Sequence, residues 1–404
     1  MILEDSVRPD IGLEDLGVSN PFPLYARMRE NHPVYPLKDK GIWVISRYDD
    51  VKFAMERADL FSASGQKALL QPDWLPDDLK RDMFIAVQDP PEHTEKRALI
   101  NRAFVGKAIQ ALIPFMEAAA QEQVMAVEAS TKVNFIDDFA RPYVCSVSDR
   151  ITGADSDAYL KELGRWVQLN QANLSGSAPS TEHMQALQAN MARQNAIFDA
   201  IIHDRRQNPQ NDLTTDLIKG RVNGEALTDS QLRNALELVI TAGFFAPTQM
   251  FCQTILYLGR YPELFQALKS DPGKIPAFFE EALRHAAAVR ASLRHTTQDV
   301  TLNDVTIPKG SLAFLSLASA NHDPVRFPEP DRFDMTRTNL KQHLAFGVGP
   351  HICIGAALAR QQMRIILEAI LARFEAISIP SDEDIKTAPS WVMNVVEDLP
   401  ITFH

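Results

Sequence analysis

Apolar residues recur with a helical spacing through the middle of the chain, from Pro91 to Leu268, and shorter stretches with strand character flank that region. Between Val300 and Leu317, β-branched residues alternate around two turn signals, which predicts a small antiparallel hairpin. On the N-terminal side the pattern predicts a helix from Pro21 to Asn31, strands around Val34-Tyr35 and Ile42-Val44-Ile45, and a helix that begins at Asp49. The chain is therefore expected to be mainly α-helical with small β-sheets.

The longest predicted helix begins at a capping box, in which Thr228 caps the first turn and Gln231 reaches back to it. Apolar positions then recur to Leu258, which predicts a helix of about thirty residues and about 45 Å. Such a helix must cross the whole molecule.

Composition narrows the class of protein. The 404 residues contain no Gly/Ser linker, repeat or sharp change of composition, which favours one domain over residues 1–404. Lys and Arg number 41 against 52 Asp and Glu, and the net charge of −11 argues against a nucleic-acid partner.

Location is predicted from the apolar runs and the cysteines. Residues 1–20 carry charges throughout, and the longest apolar stretch, Ala235 to Met250, is too short and too interrupted for a membrane span. The residues that interrupt it are Glu237, Thr241, Pro247 and Gln249. Three widely spaced cysteines form no disulfide framework. We therefore expect a cytoplasmic protein without a membrane partner.

A glycine-rich loop from Phe346 to Gly355 delivers Cys353 to the start of a helix predicted from Ala356 to Phe374. Glycines at 347, 349 and 355 are expected to adopt backbone conformations that side chains forbid. A helix N-terminus favours thiolate over thiol, and a thiolate is the axial ligand of haem iron in enzymes that cleave an O–O bond. A lone cysteine beside a turn would instead be buried and structural. Here the complete pattern F-G-x-G-x-H-x-C-x-G resembles the haem-ligand signature of the cytochrome P-450 family.

The resemblance implies the cytochrome P-450 fold, mainly α with small antiparallel sheets, with haem b (iron protoporphyrin IX) between the long central helix and the cysteine-loop helix. Cys353 would be the iron ligand. His93 and Arg97, at i and i+4, match the family's clamp on the haem propionates, although an isolated pair of this kind would be an ordinary surface pair. The implied cofactor-binding residues are His93, Arg97, Arg294, Phe346, Gly347, His351, Cys353 and Gly355.

A second resemblance concerns structure rather than chemistry. Glu281 and Arg284 share one helix face at i and i+3, a spacing that is usually a weak surface pair. In order with Arg332 of Pro330-Asp331-Arg332-Phe333, however, they resemble the family's buried Glu-Arg-Arg cluster, which braces the segment carrying the thiolate.

The long helix departs from the family pattern. Relatives that use dioxygen generally carry A-G-x-(D/E)-T, whose acid and hydroxyl relay protons to the oxygen. Here Phe245 and Ala246 stand at the acid and threonine positions, and Pro247 frees the carbonyl of Gly243 and is expected to kink or widen the helix. An ordered water is a candidate replacement for the missing side chains. The expected oxygen-site residues are Ala242, Gly243, Phe245, Ala246, Pro247 and Thr248.

Substrate contacts follow only by resemblance. The expected pocket is apolar and contains Leu238, Thr241, Ala242, Val289, Ala291 and Trp391. Arg290 is either a contact for a substrate carboxylate or phenolate, or a structural residue. Residues 168–190, where the family has a loop over the substrate, are polar, and we expect a mobile loop there.

The resulting hypothesis is a haem-thiolate monooxygenase that inserts one oxygen atom from O2 into a small apolar or aromatic substrate, by hydroxylation or O-demethylation. Electrons would come from a separate ferredoxin or flavodoxin that is reduced by an NAD(P)H reductase. The ferredoxin or flavodoxin would dock near the cations Arg102, Lys107, Arg360 and Arg364. Two alternatives stay open, because proline at this place in the helix also occurs in relatives that use hydrogen peroxide and because the acid and threonine of the usual pattern are missing. One is a peroxygenase, and the other is a haem protein that binds a ligand without turnover.

Overall fold

A computed structural model describes residues 11–37, 41–66, 85–128, 130, 132–171, 180–381 and 383–404. Helices dominate it, as predicted. In chain order the α-helices of these residues are α1 (Leu13–Leu16), α2 (Phe22–Asn31), α3 (Tyr48–Glu56), α4 (Glu92–Asn101), α5 (Gly106–Glu128), α6 (Arg141–Thr152), α7 (Ser156–Gln171), α8 (Thr181–Gln207), α9 (Leu213–Lys219), α10 (Asp229–Arg260), α11 (Pro262–Ser270), α12 (Ile275–Ala286), α13 (Leu317–Ala320) and α14 (Ala356–Arg373).

The strands are short and form small sheets, which confirms the sequence-based prediction. They are β1 (Val34–Leu37), β2 (Ile42–Ile45), β3 (Phe61–Ser62), β4 (Val133–Asn134), β5 (Arg221–Val222), β6 (Glu225–Ala226), β7 (Ala291–Thr296), β8 (Val300–Leu302), β9 (Val305–Ile307), β10 (Leu312–Ser316), β11 (Ile377–Ser378), β12 (Lys386–Ala388), β13 (Val395–Asp398) and β14 (Pro400–Phe403). The largest sheet has the order β1-β2-β10-β7-β3 and is antiparallel except for the parallel pair β2 and β10.

The predicted hairpin is β8 and β9, which pair antiparallel from Val300 with Ile307 to Leu302 with Val305. Asn303 and Asp304 join them with φ values of 48° and 61°. Two left-handed residues in succession define the type I′ turn, whose twist matches that of a hairpin. Beyond it, β10 joins the large sheet instead of extending the hairpin.

The capping box of α10 is present as predicted. The backbone N–H of Gln231 donates to Thr228 Oγ1 at 3.2 Å, and the N–H of Thr228 donates to Gln231 Oε1 at 3.0 Å. The helix then continues through Pro247 to Arg260. Helix α10 is long and apolar enough to span a membrane, but half of its most apolar 18 residues are buried within the protein. The core helix of a soluble protein can have the same length and hydropathy, so α10 is weak evidence for a membrane span. The helical segments Glu92–Phe104 and Gly106–Glu128 are long and apolar enough for a membrane span only if they are taken together as one span bent by 42°.

The expected loop at residues 168–190 is wrong at both ends. Helix α7 extends to Gln171, and α8 already begins at Thr181, where Ser180 Oγ caps it by accepting the N–H of His183. Residues 172–179 lie outside the described part of the chain. The polar composition of this region therefore reflects exposed helix faces as well as a connection.

The chain divides into two compact units. The first consists of Met1–Gly65, Leu112–Pro142 and Ala246–His404, and it contains the large sheet, α12 and α14. The second consists of Gln66–Ala111 and Tyr143–Phe245, and it contains α4, α7 and α8. Helix α10 contributes residues to both. A single domain over residues 1–404 stays a prediction.

Candidate haem-binding site

Cys353 lies in the first unit, two residues before the N-cap Gly355 of α14. Its backbone N–H donates to the carbonyl oxygen of Phe346 at 2.8 Å, which closes the loop into a ring. The side chain is exposed, whereas Cys145 and Cys252 are buried, and burial raises the pKa of Cys252 to about 12. Of the three cysteines, only Cys353 therefore combines access for a ligand with a place at a helix N-terminus.

Two glycines of the loop are required by its path over α3. Gly347 and Gly349 have φ values of +67° and +74°, in the left-handed region. A Cβ on Gly349 would lie 2.6 Å from the Met55 carbonyl oxygen, so backbone would have to move. Gly355 differs, since its φ of −85° is open to any residue and a Cβ there would lie 3.9 Å from the sulfur of Cys353. The expectation of a forbidden conformation at Gly355 is wrong.

The four proposed propionate contacts divide between the two units. Arg294 lies in β7 at 3% exposure, and its Nη1 donates to Ser292 Oγ at 2.8 Å and to the Leu293 carbonyl at 2.7 Å. The half-buried His351 is in the same unit, in the 3-10 turn before Cys353. In the second unit, His93 is buried and Arg97 half-buried on α4. Their role in holding propionates stays a prediction.

The charged cluster on α12 is buried, but its third member is not the predicted one. Arg284 and Glu281 are fully buried and form a bidentate pair, with both nitrogen–oxygen distances 2.7 Å. Arg337, which is 7% exposed, supplies the second cation through Nε at 3.2 Å from Glu281 Oε1. The side chain of Arg332 is 64% exposed and pairs with Glu329, so its assignment to the cluster is wrong. Arg332 contributes its carbonyl oxygen, which accepts hydrogen bonds from Arg284 and Arg337.

The oxygen-site segment of α10 has an open face in the middle of the helix. Ala242 and Phe245, at i and i+3, are exposed, with 41% of Phe245 accessible. Thr248 is 2% exposed, and no group in the described residues hydrogen-bonds to its hydroxyl. Gln249 is committed elsewhere, because its amide pairs with both backbone groups of Val396 in β13, at 2.7 and 3.1 Å.

The expected pocket residues also divide between the units. Leu238 and Thr241 are half-buried in the second unit, where Tyr159 Oη lies 3.4 Å from Thr241 Oγ1. Tyr159 was not foreseen, since nothing in the sequence links it to residue 241. In the first unit, the ring centroids of Trp391 and Phe314 lie 6.0 Å apart.

Residues around Arg290 settle its role. Val289 forms a β-bridge with Met393, a second unforeseen neighbour, and Ala291 opens β7. Arg290 itself is 4% exposed and donates to the carbonyls of Val18, Ser19 and Ser390 and to Asn394 Oδ1. It is therefore structural, the second of the two interpretations.

These residues fit a thiolate-ligated haem. Ile352, beside the exposed sulfur, is itself 46% exposed, and an apolar macrocycle would cover such a position. Arg294 offers a buried cation, which a propionate taken out of water requires.

Comparison with known proteins identifies the family. The cytochrome P450 model matches residues 22–271 and 275–403, so the chain belongs to the cytochrome P450 family. It is similar to cytochrome P450 107B1 of Saccharopolyspora erythraea, with 32% identity over 389 residues that cover 93% of each chain. It is also similar to 6-deoxyerythronolide B hydroxylase of the same organism, with 30% identity over 395 residues, 93% of this chain and 94% of the relative. Among solved structures, cytochrome P450 CYP109Q5 from Chondromyces apiculatus matches with a TM-score of 0.85 and 30% identity over 98% of both chains.

Family membership fixes the class of chemistry. Cytochromes P450 bind haem b through a cysteine thiolate, and the named relatives include a hydroxylase and cyclomarin C epoxidase CymV of Salinispora arenicola, which is 31% identical over 357 residues, 87% of this chain and 88% of the relative. The chain is thus a cytochrome P450 monooxygenase with haem b as cofactor. Bacterial members take electrons from ferredoxin-type partners and use O2 and an organic substrate.

Proposed function

We propose that Cys353 is the haem ligand and that the chain inserts one oxygen atom into a small apolar substrate, including small aromatics, by hydroxylation or O-demethylation. The exposed thiol at the start of α14 carries the proposal, because the other two cysteines are buried. The backbone hydrogen bond from Cys353 to the Phe346 carbonyl fixes the loop, and the helix N-terminus nearby favours the thiolate form of the sulfur.

When bound, haem supplies the activation of dioxygen. The residues of this chain hold the haem and position the substrate beside it. Cys353 donates electron density from its sulfur. His93, Arg97, Arg294 and His351 hold the propionates. The apolar residues Leu238, Val289, Ala291 and Trp391, together with Thr241, position the substrate and exclude water.

Proton delivery cannot use side chains at the usual two positions, since Phe245 and Ala246 carry no exchangeable proton. Pro247 lacks an N–H, so the Gly243 carbonyl loses its helical donor and remains available to a water. The buried Thr248 hydroxyl is the second candidate, because it has no partner in the described residues, unlike Thr254, whose hydroxyl donates to the Met250 carbonyl.

For the electron donor we propose a ferredoxin or flavodoxin served by an NAD(P)H reductase in the cytoplasm, with neither nucleic acid nor membrane as partner. Two of the four cations expected to dock it are already paired, Arg360 with Glu280 and Arg364 with Glu368. Arg102 and Lys107 are exposed on the second unit and are the better contacts for an acidic partner.

The test is the carbon monoxide complex of the reduced protein. The parent, Cys145→Ala and Cys252→Ala are expected to show the long-wavelength Soret band of thiolate-ligated haem, and Cys353→Ala is expected to lose it. A normal band in Cys353→Ala would contradict the assignment.

One observation favours a second candidate, a peroxide-driven peroxygenase. Peroxide brings its own protons and electrons, so the missing acid and hydroxyl at Phe245 and Ala246 would cost it nothing. Product formed with hydrogen peroxide alone, at a rate that ferredoxin, reductase and NAD(P)H do not exceed, would favour this candidate. Product that requires the electron donors would favour the monooxygenase.

A further inference from the structure

Helix α12 carries two buried carboxylates in succession that face different neighbours. Glu281 belongs to the cluster with Arg284 and Arg337, whereas Glu280, 5% exposed, contacts the segment that leads into the cysteine loop. Successive residues of a helix point about 100° apart, so one helix braces two separate segments. No role described above uses Glu280.

Glu280 holds two partners at once. Arg360 of α14 binds it in a bidentate manner, with Nε 2.5 Å from Oε1 and Nη2 3.0 Å from Oε2. His343 Nε2 lies 3.0 Å from Oε2. Burial alone would raise the pKa of Glu280, but the hydrogen bonds from Arg360 and His343 and the charge of Arg360 outweigh it and lower the pKa to about 2. Glu280 is therefore ionised at any working pH.

The tautomer of His343 follows from its two contacts. Its Nδ1 accepts the backbone N–H of Ala345 at 3.2 Å, so the proton that faces Glu280 is on Nε2. The neutral Nε2–H form satisfies both contacts. His343 thereby links the buried carboxylate to the backbone of the cysteine loop, one residue before Phe346.

Phe346 connects this cluster to the ligand. Its ring lies 4.8 Å from the guanidinium carbon of Arg360 and 6.0 Å from the ring of His343, and its carbonyl accepts the N–H of Cys353. Arg360 is thus held by Glu280, and its guanidinium lies over the ring of Phe346 at cation–π distance. A shift of Phe346 would move the carbonyl that anchors Cys353.

We propose that Glu280, through His343 and Arg360, is a positioning residue for the Cys353 loop, and that its loss loosens the thiolate. This inference rests on the proposed role of Cys353. Outer-shell partners of metal ligands typically contribute about 10–100-fold in metal affinity or activity, which sets the scale of the expected effect.

Two substitutions of His343 each break one half of its link between Glu280 and the cysteine loop. His343→Asn keeps an acceptor near Nδ1 for Ala345 but no longer reaches Glu280, whereas His343→Gln keeps an N–H near the former Nε2 for Glu280 but loses the acceptor for Ala345. Glu280→Gln keeps the shape and removes the charge. Glu368→Gln is the matched control, because its partner Arg364 lies on the same helix α14 and the pair is partly exposed, at 33% and 39%.

The experiment follows the reduced carbon monoxide complex of the haem-loaded protein over time, together with hydrogen exchange of residues 343–356. We expect Glu280→Gln and His343→Asn to lose the long-wavelength band about tenfold faster than the parent and to exchange faster in this segment. His343→Gln, which breaks the other half of the link, should also lose the band faster than the parent, whereas Glu368→Gln should match the parent. Rates in Glu280→Gln and His343→Asn equal to the rate in Glu368→Gln, or faster band loss that only accompanies global unfolding, would overturn the inference. A parent without the long-wavelength band would instead overturn the proposed role of Cys353.

Discussion

Replacing Arg337 by Gln should destabilise the protein far more than the same replacement at Arg332, five residues earlier. Arg337 is 7% exposed, and its Nε contacts the carboxylate of Glu281 at 3.2 Å. Its other nitrogens donate to the carbonyls of Pro328, Glu329 and Arg332 at 2.6 to 2.8 Å. Arg332 is 64% exposed, and its Glu329 partner is 75% exposed. Both substitutions replace an arginine of the same loop by glutamine. They differ in the burial of the arginine side chain and in the groups that it contacts.

The magnitude follows from those contacts. A buried hydrogen bond between charged groups contributes about 1.5–3 kcal/mol, and the more accessible carbonyl bonds add less, so Arg337→Gln should lower the free energy of unfolding by about 2–4 kcal/mol. Arg332→Gln removes an exposed pair and leaves the backbone carbonyl in place, so it should change that free energy by less than about 1 kcal/mol.

The assay is urea unfolding of the haem-loaded proteins followed by far-UV circular dichroism, with midpoints compared at equal slope. A midpoint for Arg332→Gln as low as that for Arg337→Gln would refute the assignment of Arg337 as the third member of the buried cluster and would favour Arg332 instead. Unchanged midpoints in both variants would refute the structural role of the third cation altogether.

Two further predictions concern α10 and pH. If a water at the Gly243 carbonyl delivers protons, Pro247→Ala should restore the helical hydrogen bond and raise peroxide release per NADH, with saturating ferredoxin and a tight-binding substrate, and Thr248→Ala should have little effect; the reverse pattern would assign the relay to Thr248. Burial lowers the pKa of His285 and that of His322 below about 6.5, so the unfolded chain binds more protons than the folded one near that pH. The contribution of the two histidines to the free energy of unfolding should therefore be fully present above about pH 6.5. Below that pH it should fall by up to about 1.4 kcal/mol per pH unit for each histidine. His322→Asn keeps a donor for the Ala318 carbonyl but cannot titrate, so urea midpoints from pH 7 to 5 should fall less steeply than in the parent, and an unchanged slope would contradict the assignment.

The sequence allowed the helices and turns to be predicted where local chemistry decides them. The capping box at Thr228 and the turn at Asn303-Asp304 are local, and both are present as predicted. Helix α14 was likewise predicted within one residue of its observed end at Arg373.

Contacts between distant segments escaped prediction for a physical reason. Arg332 and Arg337 lie in one polar loop, and only the folded path of that loop decides which guanidinium turns inward to Glu281. The pairing of Glu280 with His343 joins residues 63 positions apart, and no periodicity signals it. The role of Arg290 depended on the same kind of contact, with carbonyls of residues 18 and 390.

The parallel pairing of β2 with β10 has a consequence for synthesis of the chain. Ile42 pairs with Leu312, so 270 residues (312 − 42) separate the two partners. At about 5–20 residues per second, the hairpin of β1 and β2 leaves the ribosome roughly 15–55 s before its neighbour exists. During that interval the edge of β2 presents unpaired backbone groups flanked by apolar side chains, which other nascent chains can pair with. Any chain that terminates before Leu312 keeps that edge open permanently.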